Sequence, residues 1–230
     1  YYTDFGGKFS ASYYLKNIEN FTQTFITPSG TPEFNEIANS LGLDPADYVD
    51  WEITTTENGI GTGKVWGYEL SAAQDLRFVS FLGDLGRNIR FFASYSHSKR
   101  EETNTDRISS RPAASDLASG GVTFSTRRFS LNIKGTWRDY VFNGDKATFR
   151  LPDDTTVGIG EFVPSALRVD VSANYQLTNR TSLYVSARNV LEEGNDKERY
   201  DALGIYPAYA HGDDYRDTGV QITFGVKGTF

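Results

Sequence analysis

Apolar and polar side chains alternate without a break at the end of the chain. Val220, Ile222, Phe224, Val226 and Phe230 fall on one side of an extended backbone, and Gln221, Thr223, Lys227 and Thr229 on the other. Successive strand residues point to opposite faces, so the pattern predicts a β-strand with one apolar and one polar face. The same period of two recurs upstream. Leu167, Val169, Val171, Ala173 and Tyr175 oppose Arg168, Asp170, Ser172, Asn174 and Gln176, and Ser182–Arg188 and Phe129–Trp137 alternate in the same way. Further strands are expected around Val122–Ser125 and over Arg90–His97, Lys64–Gln74 and Phe9–Leu15, which makes eight in all.

The connections between these strands alternate in length. Short turns are expected near residues 83–88, 126–128 and 178–180, whereas 27–58, 99–115, 142–163 and 192–214 are long or strongly polar. Short turns on one rim and long loops on the other describe an outer-membrane barrel. The first long segment carries a helix signal: Thr31 as cap, Pro32 in the first helical position, and Phe34, Ile37, Ala38 and Leu41 at helical spacing before Gly42. Asp44-Pro-Ala-Asp47 starts a second turn.

Composition narrows the class. No apolar run approaches the ~18 residues of a membrane helix. A barrel strand needs only about 9–11 residues, half of them facing the interior, so a mean hydropathy of -0.46 is compatible with spanning lipid. The 16 Phe, 14 Tyr and 3 Trp suit interfacial aromatic belts, and suit β-structure of any kind equally well. With no Cys there is no disulfide framework, thiol nucleophile or zinc–thiolate site. A net charge of -7 argues against nucleic acid as a partner. The chain opens on Tyr1-Tyr2 and contains no Met, so it is expected to be a piece whose upstream part is missing.

Candidate chemistry is sparse. Gly59-Ile-Gly-Thr-Gly-Lys64 lacks both the leading Gly and the trailing Ser or Thr of a phosphate loop, since Asn58 and Val65 stand there. His97 lies among Ser94, Ser96 and Ser98 with no sign of a convergent nucleophile and base, and a polar strand end is the plainer reading. His211 beside Asp213 and Asp214 is a weak metal hint. The acidic groups at 44–52, 192–196 and 213–217 read as solvated loop charge rather than calcium ligands. Charges on the polar strand faces, Lys134, Arg138, Arg168, Asp170, Arg188 and Lys227, are expected to line a barrel interior, because pointing them at lipid is costly. There they would pair with one another, touch a plug or meet a solute. No catalytic, cofactor or metal site is expected.

Five segments, in this order, resemble the carboxy-terminal part of TonB-dependent outer-membrane receptors: Phe9–Asn20, Gly67–Ala72, Tyr175–Arg180, Ala187–Leu191 and Gly225–Phe230. The resemblance implies an all-β antiparallel transmembrane barrel of the 22-stranded, plugged type. Residues 1–230 would supply about eight consecutive carboxy-terminal strands, with the amino-terminal plug and earlier strands absent. It further implies a non-enzymatic receptor of a Gram-negative-type outer membrane that imports a scarce nutrient. Its partners would be lipid and lipopolysaccharide, the nutrient, and a TonB-type energy transducer reached through the missing part. Phe224, Val226 and Phe230 match the signal read by the barrel-assembly machinery. Two other readings compete: a self-contained eight-stranded barrel for anchoring or adhesion, with its first and last strands paired, and a soluble carbohydrate-binding β-sandwich with its apolar faces buried.

Overall fold

Backbone N–H and C=O groups need partners wherever water is excluded, and here lateral strand pairing supplies them. The computed structural model describes residues 1–4, 6–19, 22–58, 62–102, 114–201 and 203–228. In chain order the elements are β1 (Lys8–Glu19), β2 (Thr22–Pro28), α1 (Pro32–Ser40), β3 (Glu52–Asn58), β4 (Thr62–Asp75), α2 (Leu85–Asn88) and β5 (Ile89–Glu102). Then follow β6 (Asp116–Ser125), β7 (Phe129–Arg138), β8 (Val141–Arg150), β9 (Thr156–Val163), β10 (Ala166–Gln176), β11 (Thr181–Arg188), β12 (Lys197–Asp201), β13 (Gly212–Asp214) and β14 (Gln221–Gly228). Two compact units are distinguished: Tyr1–Tyr14 with Gly67–Lys99 and Pro112–Phe230, and Leu15–Trp66 with Arg100–Arg111.

The eight strands expected from alternation form one sheet, in the order β1-β4-β5-β6-β7-β10-β11-β14. From β5 to β14 every pairing is antiparallel. The sheet ends on β1 at one edge and β14 at the other, so it is an open arc rather than a barrel closed on itself. Register keeps each apolar stripe on one face: Leu131, Ala173 and Val185 stand abreast, as do Ile133, Val171 and Ala187. That face is uncovered within the chain, with Phe224 80% and Val226 65% exposed. A soluble sandwich would bury it against a second sheet.

The turns at 126–128 and 178–180 are as short as expected. Thr126 closes the first by bonding Phe129, and Leu177 N–H reaches the Thr181 carbonyl across the second. Residues 76–88 are longer than the tight turn foreseen at 83–88. They hold a 3-10 turn (Ser80–Leu82) and α2, tied down by Leu76 N–H to the Gly86 and Ile89 carbonyls. The long segments at 142–163 and 192–214 are structured as well: β8, β9, β12 and β13 form a four-stranded sheet in the order β13-β12-β9-β8.

In the smaller unit, β2 and β3 pair from Thr22↔Asn58 to Pro28↔Glu52. Between them α1 begins as its sequence dictates. Thr31 Oγ1 accepts the Phe34 N–H at 3.2 Å, Pro32 occupies the first turn, and Phe34 and Ala38 are buried. Asp44 then caps the 3-10 turn Pro45–Tyr48 through the Ala46 N–H. Tyr48 and Trp51 meet edge to face at 5.5 Å. Of the glycine-rich stretch 59–64, residues 59–61 lie outside the described residues.

Candidate binding face

Strand pleating decides which side chains can act together. On the polar face of the large sheet, Lys134 stands opposite Asp170, Arg168 opposite Thr136, and Arg138 opposite Ala166. Further along, Arg188 stands opposite Gln221 and Lys227 opposite Ser182. All six charges singled out from the sequence therefore share one face. Lys227 Nζ lies 4.8 Å above the Tyr184 ring. The ring lies across β14 because Gly225 is its cross-strand partner; a Cβ there would come within 2.8 Å of the Tyr184 hydroxyl.

Asp170 accepts the backbone N–H of Asn189, and among the described residues its carboxylate forms no salt bridge. Asn189 is buried, adopts φ 56, and ties the segment 189–219 to the end of the sheet through its side chain. Sequence reasoning named Asn189 only as part of a resemblance motif. Its left-handed backbone, a state asparagine tolerates better than most residues, was the missed signal.

The pairing of β7 with β10 continues into β8 and β9. Arg138 pairs with Ala166 and Val141 with Val163, three residues further along each strand, so the register carries across the unpaired residues between them. Tyr140, Phe142 and Phe162 therefore continue the face that bears Arg138 and Arg168. Phe162 packs at 6.3 Å from Tyr140, 5.1 Å from Phe142 and 5.9 Å from Tyr200. Tyr200 meets His211 at 4.6 Å, and His211 stacks on Tyr206 at 6.0 Å. Arg168 Nη2 donates to Asn195 Oδ1 at 2.7 Å, while its buried Nε finds no partner among the described residues.

The opposite face of the small sheet is a buried polar network. Glu161, 3% exposed, accepts from Asn143 and from Lys197 Nζ at 3.2 Å, and Arg199 pairs with Asp213 at 2.6 Å. Burial works to raise the Glu161 pKa, but hydrogen bonds from Asn143 and Lys197 and the Lys197 charge outweigh it and hold the carboxyl down at about 2.

The weaker chemical readings resolve into structural roles. His97 Nδ1 lies 2.8 Å from Asp116 Oδ1, Tyr95 also donates to that oxygen, and Tyr68 stacks on the imidazole at 5.4 Å. Ser94 and Ser96 project from the other face, with Ser94 bonded to Ser119 at 2.8 Å, so neither of these two serines meets the histidine. Asp214 is engaged by Arg216, and His211 Nε2 lies 2.9 Å from the Tyr206 carbonyl oxygen. Among the described residues no group of three His, Asp or Glu is placed to hold a metal ion. Phe224 and Val226 lie on the exposed apolar face of β14, and Phe230 lies outside the described residues.

The family model described as "TonB dependent receptor-like, beta-barrel" matches residues 1–190. The chain belongs to the TonB-dependent receptor β-barrel family. Two solved structures share the fold. One is the ferripyoverdine receptor of the outer membrane of Pseudomonas aeruginosa bound to ferripyoverdine, at a TM-score of 0.53 and 15% identity, covering 96% of this chain and 25% of that one. The other is the FpvAI–pyocin S2 complex, at a TM-score of 0.55 and 16% identity, covering 99% and 25%. This chain thus spans about a quarter of the length of either structure. No curated protein matches it. The open eight-stranded arc is an antiparallel β-barrel segment of this receptor family.

Proposed function

We propose that the protein containing this chain is an outer-membrane receptor that binds a scarce nutrient and imports it with energy from a TonB-type transducer. Residues 1–230 supply the carboxy-terminal strands of its barrel. The observation that carries the reading is the family match over residues 1–190. The uncovered apolar face of the sheet supports it, since lipid would supply the missing cover.

In this reading the polar face with Lys134, Arg138, Arg168, Asp170, Arg188 and Lys227 lines the interior. The small sheet and the α1 segment belong to the outward, nutrient-binding side. An amino-terminal plug closes the lumen and contacts the transducer, and lipopolysaccharide surrounds the outward rim. Phe224, Val226 and Phe230 are the residues read by the barrel-assembly machinery. The protein is a receptor and not an enzyme.

Growth of a deletion strain on defined iron, cobalamin and carbohydrate sources tests this. The expected result is a growth defect on one source, reproduced by deleting the energy transducer. Normal uptake of every source by the deletion strain would contradict the reading.

A further inference from the structure

The turns at 126–128 and 178–180 are tight and polar, but the turn that shares their rim, residues 76–88, reads Leu-Arg-Phe-Val-Ser-Phe-Leu-Gly-Asp-Leu-Gly-Arg-Asn. Its large apolar side chains are left outside: Phe78, Phe81 and Leu85 are 52%, 86% and 55% exposed. The backbone beneath them is nonetheless held. Leu76 N–H bonds the Gly86 and Ile89 carbonyls, Val79 N–H the Leu76 carbonyl, and Leu82 N–H the Val79 carbonyl. Gly86 packs so closely on Leu76 that a Cβ would meet its carbonyl oxygen at 2.4 Å. A hydrogen-bonded turn that keeps aromatic rings out of its own packing presents them to something else.

The same rim is cationic, although the chain carries a net charge of -7. Ile89 stands opposite Phe124, and Gln176 N–H reaches the Arg128 carbonyl, so the three turns lie side by side. Arg77 and Arg87 belong to the first, Arg127 and Arg128 to the second and Arg180 to the third, and all five are exposed. The acids here are Asp4, Asp75 and Asp84. Asp75 is engaged by Arg77 at 2.6 Å, and Asp84 stands 4.0 Å from Arg87. Among the described residues Arg127, Arg128 and Arg180 form no salt bridge. The acidic stretches 192–196 and 213–217 lie at the other end of the strands.

The apolar face of the sheet runs up to this rim without a break. Ile89 and Phe91 carry it into the first turn and Leu177 into the third, with Phe91 48% and Leu177 46% exposed. Apolar rings continuous with a lipid-facing surface and bordered by arginines match a bilayer interface: rings enter the acyl boundary while guanidiniums stay level with phosphate. We infer that residues 76–88 form a foot inserted through Phe78, Phe81 and Leu85 into the periplasmic leaflet of the outer membrane. Arg87, Arg127, Arg128 and Arg180 bind the phosphates of anionic phospholipid beside it. The assignment of this rim to the periplasmic side rests on the receptor reading above.

The experiment uses the intact receptor in vesicles of phosphatidylethanolamine and phosphatidylglycerol. A nitroxide is attached at Phe81→Cys or, for comparison, at Asn179→Cys, with the unsubstituted receptor treated in the same way. Collisions with oxygen, which partitions into lipid, and with a water-soluble nickel chelate report depth. Residue 81 is expected to favour oxygen and residue 179 the nickel chelate. Spin-labelled phosphatidylglycerol is expected to associate with the receptor about fivefold more strongly than spin-labelled phosphatidylcholine, the factor for one arginine near an anionic surface. Arg127→Gln together with Arg128→Gln, or high salt, should bring the two lipids toward parity. Residue 81 as open to nickel as residue 179 overturns the proposal. So does a nitroxide at 81 shielded from both reagents, which would place the turn against the receptor's own chain, or one shielded only when the transducer's periplasmic domain is added, which would make it a protein-docking site. Equal association of the two lipids, or a preference unchanged in the double variant, overturns it as well. All these failures leave the receptor reading in place, whereas thiol labelling of Val171→Cys and Ala173→Cys in the same vesicles would remove that reading itself.

Discussion

Asp170 Oδ1 accepts the backbone N–H of Asn189 at 3.0 Å, and through that bond the middle of the arc holds the base of the segment 189–219. The Asn189 amide then donates to the Glu193 and Gly219 carbonyls at 2.9 and 3.2 Å and to Thr218 Oγ1, and its oxygen accepts the Glu193 N–H. Residues at both ends of the 189–219 segment are thus fixed to one side chain. The aspartate's place on the polar face, across from Lys134, serves architecture first.

Replacing Asn189 by Asp keeps shape and left-handed tolerance but removes every side-chain donor while facing the new carboxylate toward two carbonyl oxygens. Leaving those part-buried acceptors without partners should cost about 1–3 kcal/mol. The loss is measured as a lowered midpoint of unfolding in detergent, with faster proteolysis between residues 189 and 219. An unchanged midpoint and cleavage rate would mean that the clip does not hold the segment.

Glu161 predicts an acid-dependent small sheet. Its folded-state pKa, about 2 against an ordinary 4.5, is depressed, so the stabilisation is fully present above about 4.5 and is lost as pH falls from there toward 2. Glu161→Gln should remove that dependence. At neutral pH it should also destabilise the sheet by about 3 kcal/mol, because Lys197 is left without its counter-charge. Hydrogen exchange of β9 and β12 amides across this pH range reads both effects. Identical acid profiles for wild type and variant would assign the transition to other carboxylates.

Gly225 and Tyr184 make a coupled pair. Gly225→Val should force the ring off the strand at a cost of about 1–3 kcal/mol, the usual penalty of overpacking. In a Tyr184→Ala background the same valine should cost clearly less. Additive effects in a double-mutant cycle of detergent unfolding would show that the ring does not depend on the glycine.

The alternation that made the sheet legible works only where the period of two is unbroken. From Val169 to Tyr175 each face is homogeneous, so both the strand and its charged face could be read directly. In β8 and β9 the period is interrupted: the register shifts between Phe142 and Gly144 and again between Asp145 and Ala147, and Gly158 and Gly160 remove the side chains that would mark a face. Hence the hairpin read as a polar loop. The helix α1 was legible because its cap, its proline and its buried pair Phe34 and Ala38 are all local signals. The partners of Asn189 and of His97 were not, since Asp170 and Asp116 each lie nineteen residues away and meet them only through the folded register.

The central claim is that one face of this arc meets lipid while the other lines a polar interior. Residues 1–230 contain no cysteine, so single cysteines can be placed along β10 with no competing thiol in these strands and probed in outer-membrane vesicles, against the unsubstituted receptor, with a membrane-impermeant thiol reagent. The account predicts labelling at Ser172 and Asn174, whose side chains share the polar face, and protection at Val171 and Ala173 until detergent is added. Equal labelling at all four positions, or protection at Ser172 and Asn174 with labelling at Val171 and Ala173, would contradict it.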